Sequence, residues 1–325
     1  MSHHRLRFVV RAHDPLFPLF RGDVRIPRID LEIDHTAWIG DAFQGEGLPV
    51  AEASFHRYVM LRARGDERYI GLPAFVACGF RHRTFYARRD SDLTDLSHLA
   101  GRRVGTNSWP DTGTFWARVA MREAGVDIPD VEWTIGALDE RTRIKPPSFV
   151  DAAPPAGARI LADGATLVDA LLAGELDAIT SAVAPAGVFA GDGPIRRLVV
   201  DYPAAEAAYF ERTGVYPALH IIVVRRDVAE LVPELVEGLY NALRESWDRW
   251  WRHAELYMGP FAWTAREMES AVRDLGAYYP PFGSRNLGFT RMLDVLAAEQ
   301  LAQGLVEKAA DPESVFAPFR EFVDH

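Results

Sequence analysis

The 325 residues predict an α/β fold in two lobes, and three observations carry the prediction. The chain is longer than one core usually sustains, since single hydrophobic cores stop growing near ~250–300 residues. Strand-like and helix-like segments alternate through its middle, the pattern of an α/β lobe with a largely parallel sheet. Two strand-like segments, "RTFYARRD" and "ALHIIVVRRD", bracket that middle, and both end in Arg-Arg-Asp. This layout makes one lobe from 1–95 and 217–325 and the other from 96–216, joined by two crossings. Each lobe is expected to be a mixed sheet flanked by helices. Ligands in open α/β sheets bind beyond the carboxyl ends of the strands, which predicts a site in the cleft between the lobes.

The elements follow in order. "LRFVVRA" reads as a first strand, and "IDLEIDH" as a second, with alternating Ile29, Leu31 and Ile33. Turn residues between them leave room for one short helix. A short strand end at Val50 leads into a helix whose Phe55, Tyr58, Val59 and Leu61 share one face. "YIGLPAFVA" and "RTFYARRD" are strands. "LAGRRVGT" is a strand, "NSWPDTGT" a turn cluster, and "TFWARVAMREAG" an amphipathic helix that ends at Gly125. "VEWTIG" is a strand, and the proline-rich "RTRIKPPSFVDAAPPAGARI" a connecting loop. Thr166 to about Leu172 is a helix stopped by Gly174, followed by the strand "LDAITSA". After "ALHIIVV" the chain is helical. Its "SWDRWWRHAELY" segment either packs on its own lobe or offers an interface for a homo-oligomer.

Composition removes several classes of function. A net charge of −10 argues against a general nucleic-acid binder, which needs a basic face, but leaves room for a locally positive cleft. The single cysteine, Cys78, rules out an intramolecular disulfide and reads as a small hydrophobe. No apolar run approaches ~18 residues, so no membrane span is expected. The start of the chain lacks the apolar core of a secretory signal, which makes a cytoplasmic protein the expectation.

Four segments, "VAEASFHRYVMLRARGD", "FRHRTFYARRDS…LAGRRVGT", "TLVDALLAGELDAITSA" and "YFERTGVYPALHIIVVRRD", resemble the 4,5-dihydroxyphthalate decarboxylase family. The resemblance spans residues 5 to 290 in the same order. It implies the two-lobe fold of type II periplasmic binding proteins. It also implies non-oxidative loss of one carboxylate from a hydroxylated aromatic diacid such as 4,5-dihydroxyphthalate, giving a catechol acid and CO₂. The expected partner is then a small aromatic acid, and no organic cofactor is expected.

That chemistry needs a grip on negative charge, an acid for the ring carbon that loses its carboxylate, and a base or acceptor for the ring hydroxyls. Arg81 suits the first task, because a guanidinium holds a carboxylate through two parallel hydrogen bonds. Surface pairing is its bland alternative. His82 and His220 are candidate acids, with His220 favoured because an apolar strand has little other reason to carry it. Strand alternation predicts that Arg81 and His82 face opposite ways. Glu52, where a strand gives way to a helix, is either a base toward the hydroxyls or a carboxylate steadied by the helix dipole. Ser54 either caps that helix or touches ligand.

The "GTNSWPDTGTFW" turn offers backbone N–H groups to an anion, with Asn107, Ser108, Thr112 and Thr114 as added donors. Trp109 either stacks on a substrate ring or packs the turn. Ser181 is a further binding candidate. Glu52, His82 and His220 together leave a divalent metal open, although no spacing demands one. The rival class is a solute-binding protein of a transporter, or a non-catalytic acid-binding protein of the same fold. A lyase of another kind, a dehydratase on this fold, is a third reading.

Overall fold

The computed structural model describes residues 3–36, 42–43, 47–142, 153–257, 263–283 and 287–323. They form two compact units, Met1–Cys78 with Ala218–His325, and Gly79–Pro217.

The first unit is built on a five-stranded sheet in the order β2-β1-β3-β11-β4. These strands are β1 (His4–Val10), β2 (Ile29–His35), β3 (Val50–Ser54), β4 (Tyr69–Cys78) and β11 (Ala218–Arg225). β1 runs parallel to β2 and β3, whereas β11 lies antiparallel between β3 and β4. β11 carries Ile221, Ile222, Val223 and Val224, all fully buried, as a central strand covered on both faces must. Its register against β4 shifts on either side of His220. Such irregularities recur beside functional sites, where they re-aim side chains.

The Phe55–Ala63 helix starts where expected, and Ser54 Oγ caps it by accepting the Arg57 N–H at 3.3 Å. A cap of this kind is worth about 1 kcal/mol. Phe75 then stacks on Phe289 with ring centroids 3.8 Å apart and meets Phe55 edge-on at 5.3 Å. Each such pair adds roughly 0.5–1.5 kcal/mol beyond the area it buries. On the long Glu234–Tyr257 helix, Trp247 packs against this unit's core, so at least that tryptophan serves its own lobe.

The second unit has a six-stranded sheet in the order β10-β5-β9-β6-β7-β8. Its strands are β5 (Phe85–Arg88), β6 (Arg103–Thr106), β7 (Glu132–Ile135), β8 (Arg159–Ile160), β9 (Ala178–Thr180) and β10 (Ile195–Arg197). β9, β6, β7 and β8 are parallel, as the alternation of strands and helices predicts, while β5 and β10 add antiparallel partners. The Thr112–Glu123 helix follows the "NSWPD" turn, and Gly125 takes a φ of 83° just after it, a conformation open to glycine.

Three sequence expectations are corrected. The first unit boundary falls after Cys78, not at 95, because β5 pairs with β9 and β10 in the second sheet. "RTFYARRD" is therefore a strand of the second unit, and only Phe85–Arg88 of it is extended. Arg81 and His82 lie in a turn and a short 3₁₀ helix, His82–Thr84, so strand alternation does not govern them. The stretch after β9 carries β10 and the Tyr202–Thr213 helix. Residues 143–152 of the proline-rich loop lie outside the described residues.

Candidate functional site

In the first unit, the carboxyl ends of the parallel strands and the start of β11 gather a polar cluster. Glu52 is the third residue of β3 and is 0% exposed. It faces Ile222 in the register, and His220 faces Ser54. Side chains two apart share a face, so Glu52 and His220 are diagonal neighbours across the strand pair. Their contact is short: His220 Nδ1 lies 2.6 Å from Glu52 Oε1. On Oε2, the Arg11 backbone N–H donates at 2.9 Å, and His13 Nε2 stands 3.0 Å away in an ion-pair contact without hydrogen-bond alignment.

Electrostatics fix the state of the carboxyl. Burial alone pushes Glu52 up, but the imidazoles of His220 and His13 outweigh burial and hold it well below the usual carboxylate range. Glu52 is thus an anion at neutral pH, and a carboxylate can only accept. The proton in the 2.6 Å contact must then sit on His220 Nδ1. Arg11 Nη1, 3.5 Å from the same nitrogen, is too distant to compete and acts as a charged neighbour. A carboxylate behind one ring nitrogen sets the tautomer and steadies positive charge on the ring, which leaves Nε2 as the nitrogen that can exchange a proton with a substrate.

This geometry revises the role foreseen for Glu52. It stands two residues before the helix cap, and its ionisation comes from histidines and a backbone N–H rather than from a helix dipole. Glu52 is fully buried, with both oxygens engaged by His220, the Arg11 backbone N–H and His13. Ser54 serves as the helix cap. Arg11 and His13 were not foreseen. The signal was present in "VVRAHD", where two basic residues follow the first parallel strand, beyond the carboxyl ends where ligands bind.

In the second unit, Arg81 is 7% exposed, and its buried Nε has no hydrogen-bond partner. Burial pushes its guanidinium down to about 10, against the pull of Asp111. It packs against the first turn of the Thr112–Glu123 helix, where a Cβ on Gly113 would come within 3.4 Å of Arg81 Cζ and Nη2. Asp111 caps that helix, accepting the Thr114 N–H at 2.7 Å and the Thr114 hydroxyl at 3.1 Å. Thr114 Oγ1 also lies 3.3 Å from Thr106 Oγ1. The helix terminus foreseen as an anion cradle is therefore partly occupied by its own Asp111. Beside it, Arg81 makes no ion pair among the described residues.

The other candidates of this unit fall into place around that turn. Asn107 Oδ1 is buried without a partner, and the Ser108 carbonyl accepts from Thr106 Oγ1 at 3.4 Å. Thr112 is buried at the start of the helix. Trp109 is 4% exposed, with the Arg118 guanidinium 3.9 Å from its ring centre and Trp133 edge-on at 5.1 Å. It is a packed residue of the turn rather than an open stacking surface. Ser181 is buried, with its Oγ accepting the Val183 N–H at 3.2 Å.

His82 packs on Tyr209 with ring centroids 5.3 Å apart, and burial pushes its imidazole down to about 4. It is a neutral core ring at neutral pH, poorly suited to supply a proton. Glu52 and His220 belong to the first unit and His82 to the second. Among the described residues no group of three or more His, Cys, Asp or Glu stands in a metal-holding arrangement. Burial pushes the Cys78 thiol up to about 12, so it is protonated at neutral pH. No described helix is long and apolar enough to cross a membrane.

Comparison with known proteins agrees with the sequence resemblance. No family model matches the chain. A 4,5-dihydroxyphthalate decarboxylase of Comamonas testosteroni is 29% identical over 252 residues, 76% of this chain and 76% of that one. The protein of the same name from Pseudomonas putida is 28% identical over 218 residues, 65% of this chain and 83% of that one. Among solved structures, the periplasmic aliphatic sulphonate binding protein SsuA of Escherichia coli aligns with a TM-score of 0.53 at 14% identity, over 95% of this chain and 90% of that one. The desulfurization enzyme DSZB aligns with a TM-score of 0.50 at 15% identity, over 99% of both chains. At such identities these structures speak for the fold alone. The chain is similar in sequence to these two 4,5-dihydroxyphthalate decarboxylases and has the periplasmic-binding-protein fold.

Proposed function

We propose that this protein is a non-oxidative decarboxylase of a hydroxylated aromatic acid, with 4,5-dihydroxyphthalate as the first substrate to try. The Glu52–His220 contact carries the reading. A binding protein needs donors for an anion, but it has no use for a histidine whose tautomer is fixed by a buried carboxylate.

In the proposed reaction His220 enters as an imidazolium paired with the Glu52 anion. Its Nε2–H gives its proton to the ring carbon that bears the departing carboxylate. The carbon–carboxylate bond then breaks, its electron pair returns to the ring, and CO₂ leaves. The balance is one aromatic carboxylate and one proton giving one arene and one CO₂. A ring hydroxyl helps by pushing electrons toward the protonated carbon, and Glu52 holds the developing charge on the imidazole in place. Arg81, a buried cation that makes no ion pair among the described residues, is assigned to a substrate carboxylate. His82 is left outside the chemistry.

One rival reading is a binder of small acids on the same fold that performs no reaction. Purified protein incubated with 4,5-dihydroxyphthalate and related catechol acids, with CO₂ followed, separates the two. Release of CO₂ supports the enzyme. Tight binding of such acids without any CO₂ supports the binder.

A further inference from the structure

Strand pairing in the second unit lines up one end of its sheet. Thr106 and Phe85 both face Thr180, and Arg197 faces Tyr86. The ends of β6, β9 and β10 therefore meet the start of β5, which Arg81 and Arg83 precede. Arg197, the last residue of β10, donates from Nη1 to the Arg83 carbonyl. Its guanidinium lies 5.1 Å from the Tyr202 ring centre, 5.6 Å from Phe189 and 5.7 Å from Tyr86. Three rings around one cation hold it in place without neutralising it. Phe189 is 84% exposed, so an apolar ring face stands open beside the charge.

One helical turn beyond Tyr202, Glu206 lies within electrostatic reach of Arg83, Arg197 and Arg81. Its Oε1 is buried with no hydrogen-bond partner. Asp111, the other carboxylate felt by Arg81, is already committed to Thr114. Three guanidiniums thus act on one carboxylate, which accepts the Arg83 backbone N–H and leaves its Oε1 without a partner, and none of the three makes an ion pair among the described residues. Burial pushes the Glu206 carboxyl up, against the pull of the arginines, so its negative charge is held less firmly than that of an exposed carboxylate.

We propose that this cluster is a second anion subsite that selects aromatic diacids. Arg197, backed by Arg83, takes one carboxylate while Arg81 takes the other. Glu206 is the internal anion that the incoming carboxylate replaces. The proposal rests on the decarboxylase reading only for the assignment of Arg81 to a substrate carboxylate, and it is tested by binding without turnover.

Titration calorimetry of the full chain with phthalate and with benzoate reads the second carboxylate directly. The wild type is expected to bind phthalate at least about tenfold more tightly than benzoate. Arg197→Gln is expected to weaken phthalate by about 10- to 100-fold while leaving benzoate within about threefold. Glu206→Gln is expected to act in the opposite direction and tighten phthalate, a sign that a merely structural role would not give. If Arg197→Gln fails to fold, Arg197→Lys, which keeps the charge but loses the planar fork, together with Glu206→Gln carries the test. Equal affinities for the two acids in the wild type, equal losses for both acids in the Arg197 variant, or weaker phthalate binding by Glu206→Gln overturns the subsite. No CO₂ from 4,5-dihydroxyphthalate with this binding pattern intact overturns the decarboxylase reading and leaves the subsite standing.

Discussion

Glu52 Oε1 and His220 Nδ1 meet at 2.6 Å across two antiparallel strands, two residues from facing each other. The contact joins a fully buried carboxylate of the first unit to a histidine on an interior strand of its sheet. Glu52 is 0% exposed, and the His220 side chain is 16% exposed. One partner is locked away and the other is partly exposed, which suits the proposed proton donor and the group proposed to position it.

Substituting Glu52 separates catalysis from binding. Glu52→Gln should lower kcat by about 10²-fold or more, the scale of general acid–base catalysis, and leave KM within a few-fold. Steady-state kinetics on 4,5-dihydroxyphthalate reads the split. A proportional rise in KM with kcat intact would make Glu52 a binding residue instead.

The same pair sets part of the acid stability. A folded carboxyl held below its unfolded value contributes stability above the ordinary carboxylate range, and that contribution is lost as pH falls through it toward the lowered value. The wild type should therefore lose its Glu52 contribution below about pH 4.3, while Glu52→Gln, already less stable at neutral pH, should lose less there. Urea unfolding midpoints from neutral pH downward measure the difference. Parallel curves would contradict the ion pair.

His82 acts at a higher pH. Its imidazole moves from 6.5 to about 4 on burial, so the unfolded chain binds the extra proton first. Stability from keeping it neutral is fully present above about 6.5 and drains as pH falls toward 4, on the order of 3 kcal/mol in all. His82→Phe should flatten the stability curve between those values and leave kcat near that of the wild type. Loss of turnover in a folded His82→Phe variant would return His82 to the chemistry.

Packing of the first sheet is tested at Gly71. A Cβ there would come within 2.6 Å of the Tyr58 ring and 2.9 Å of Ile221 Cδ1, and Tyr58 Oη accepts the Gly71 N–H at 3.0 Å. Gly71→Ala should cost roughly 1–3 kcal/mol, the range for overpacking a core, read as a lower unfolding midpoint. An unchanged midpoint would mean that Tyr58 moves aside freely.

The fold was legible in the sequence because its signals are local. Alternation in "IDLEIDH", the cap at Ser54 and the glycine after Glu123 each depend on neighbours in the chain. The site was legible only in part. His220 stood out as a polar residue in an apolar strand, and Arg81 as a cation in a matching segment. The Glu52–His220 contact is a long-range pairing across strands, and nothing in the residues around Glu52 announces which carboxyl oxygen will meet a ring 168 positions away. Arg11 and His13 escaped for the same reason. Trp109 was ambiguous because packing against Arg118 and Trp133 is decided in three dimensions.

The central claim is that His220, set by Glu52, protonates the ring carbon as CO₂ departs. Single-turnover CO₂ release from 4,5-dihydroxyphthalate, by the wild type and by His220→Ala, tests it most directly. The account predicts release by the wild type and a loss of about 10²- to 10⁴-fold in the variant, with substrate still bound. CO₂ release by His220→Ala at the wild-type rate would contradict it.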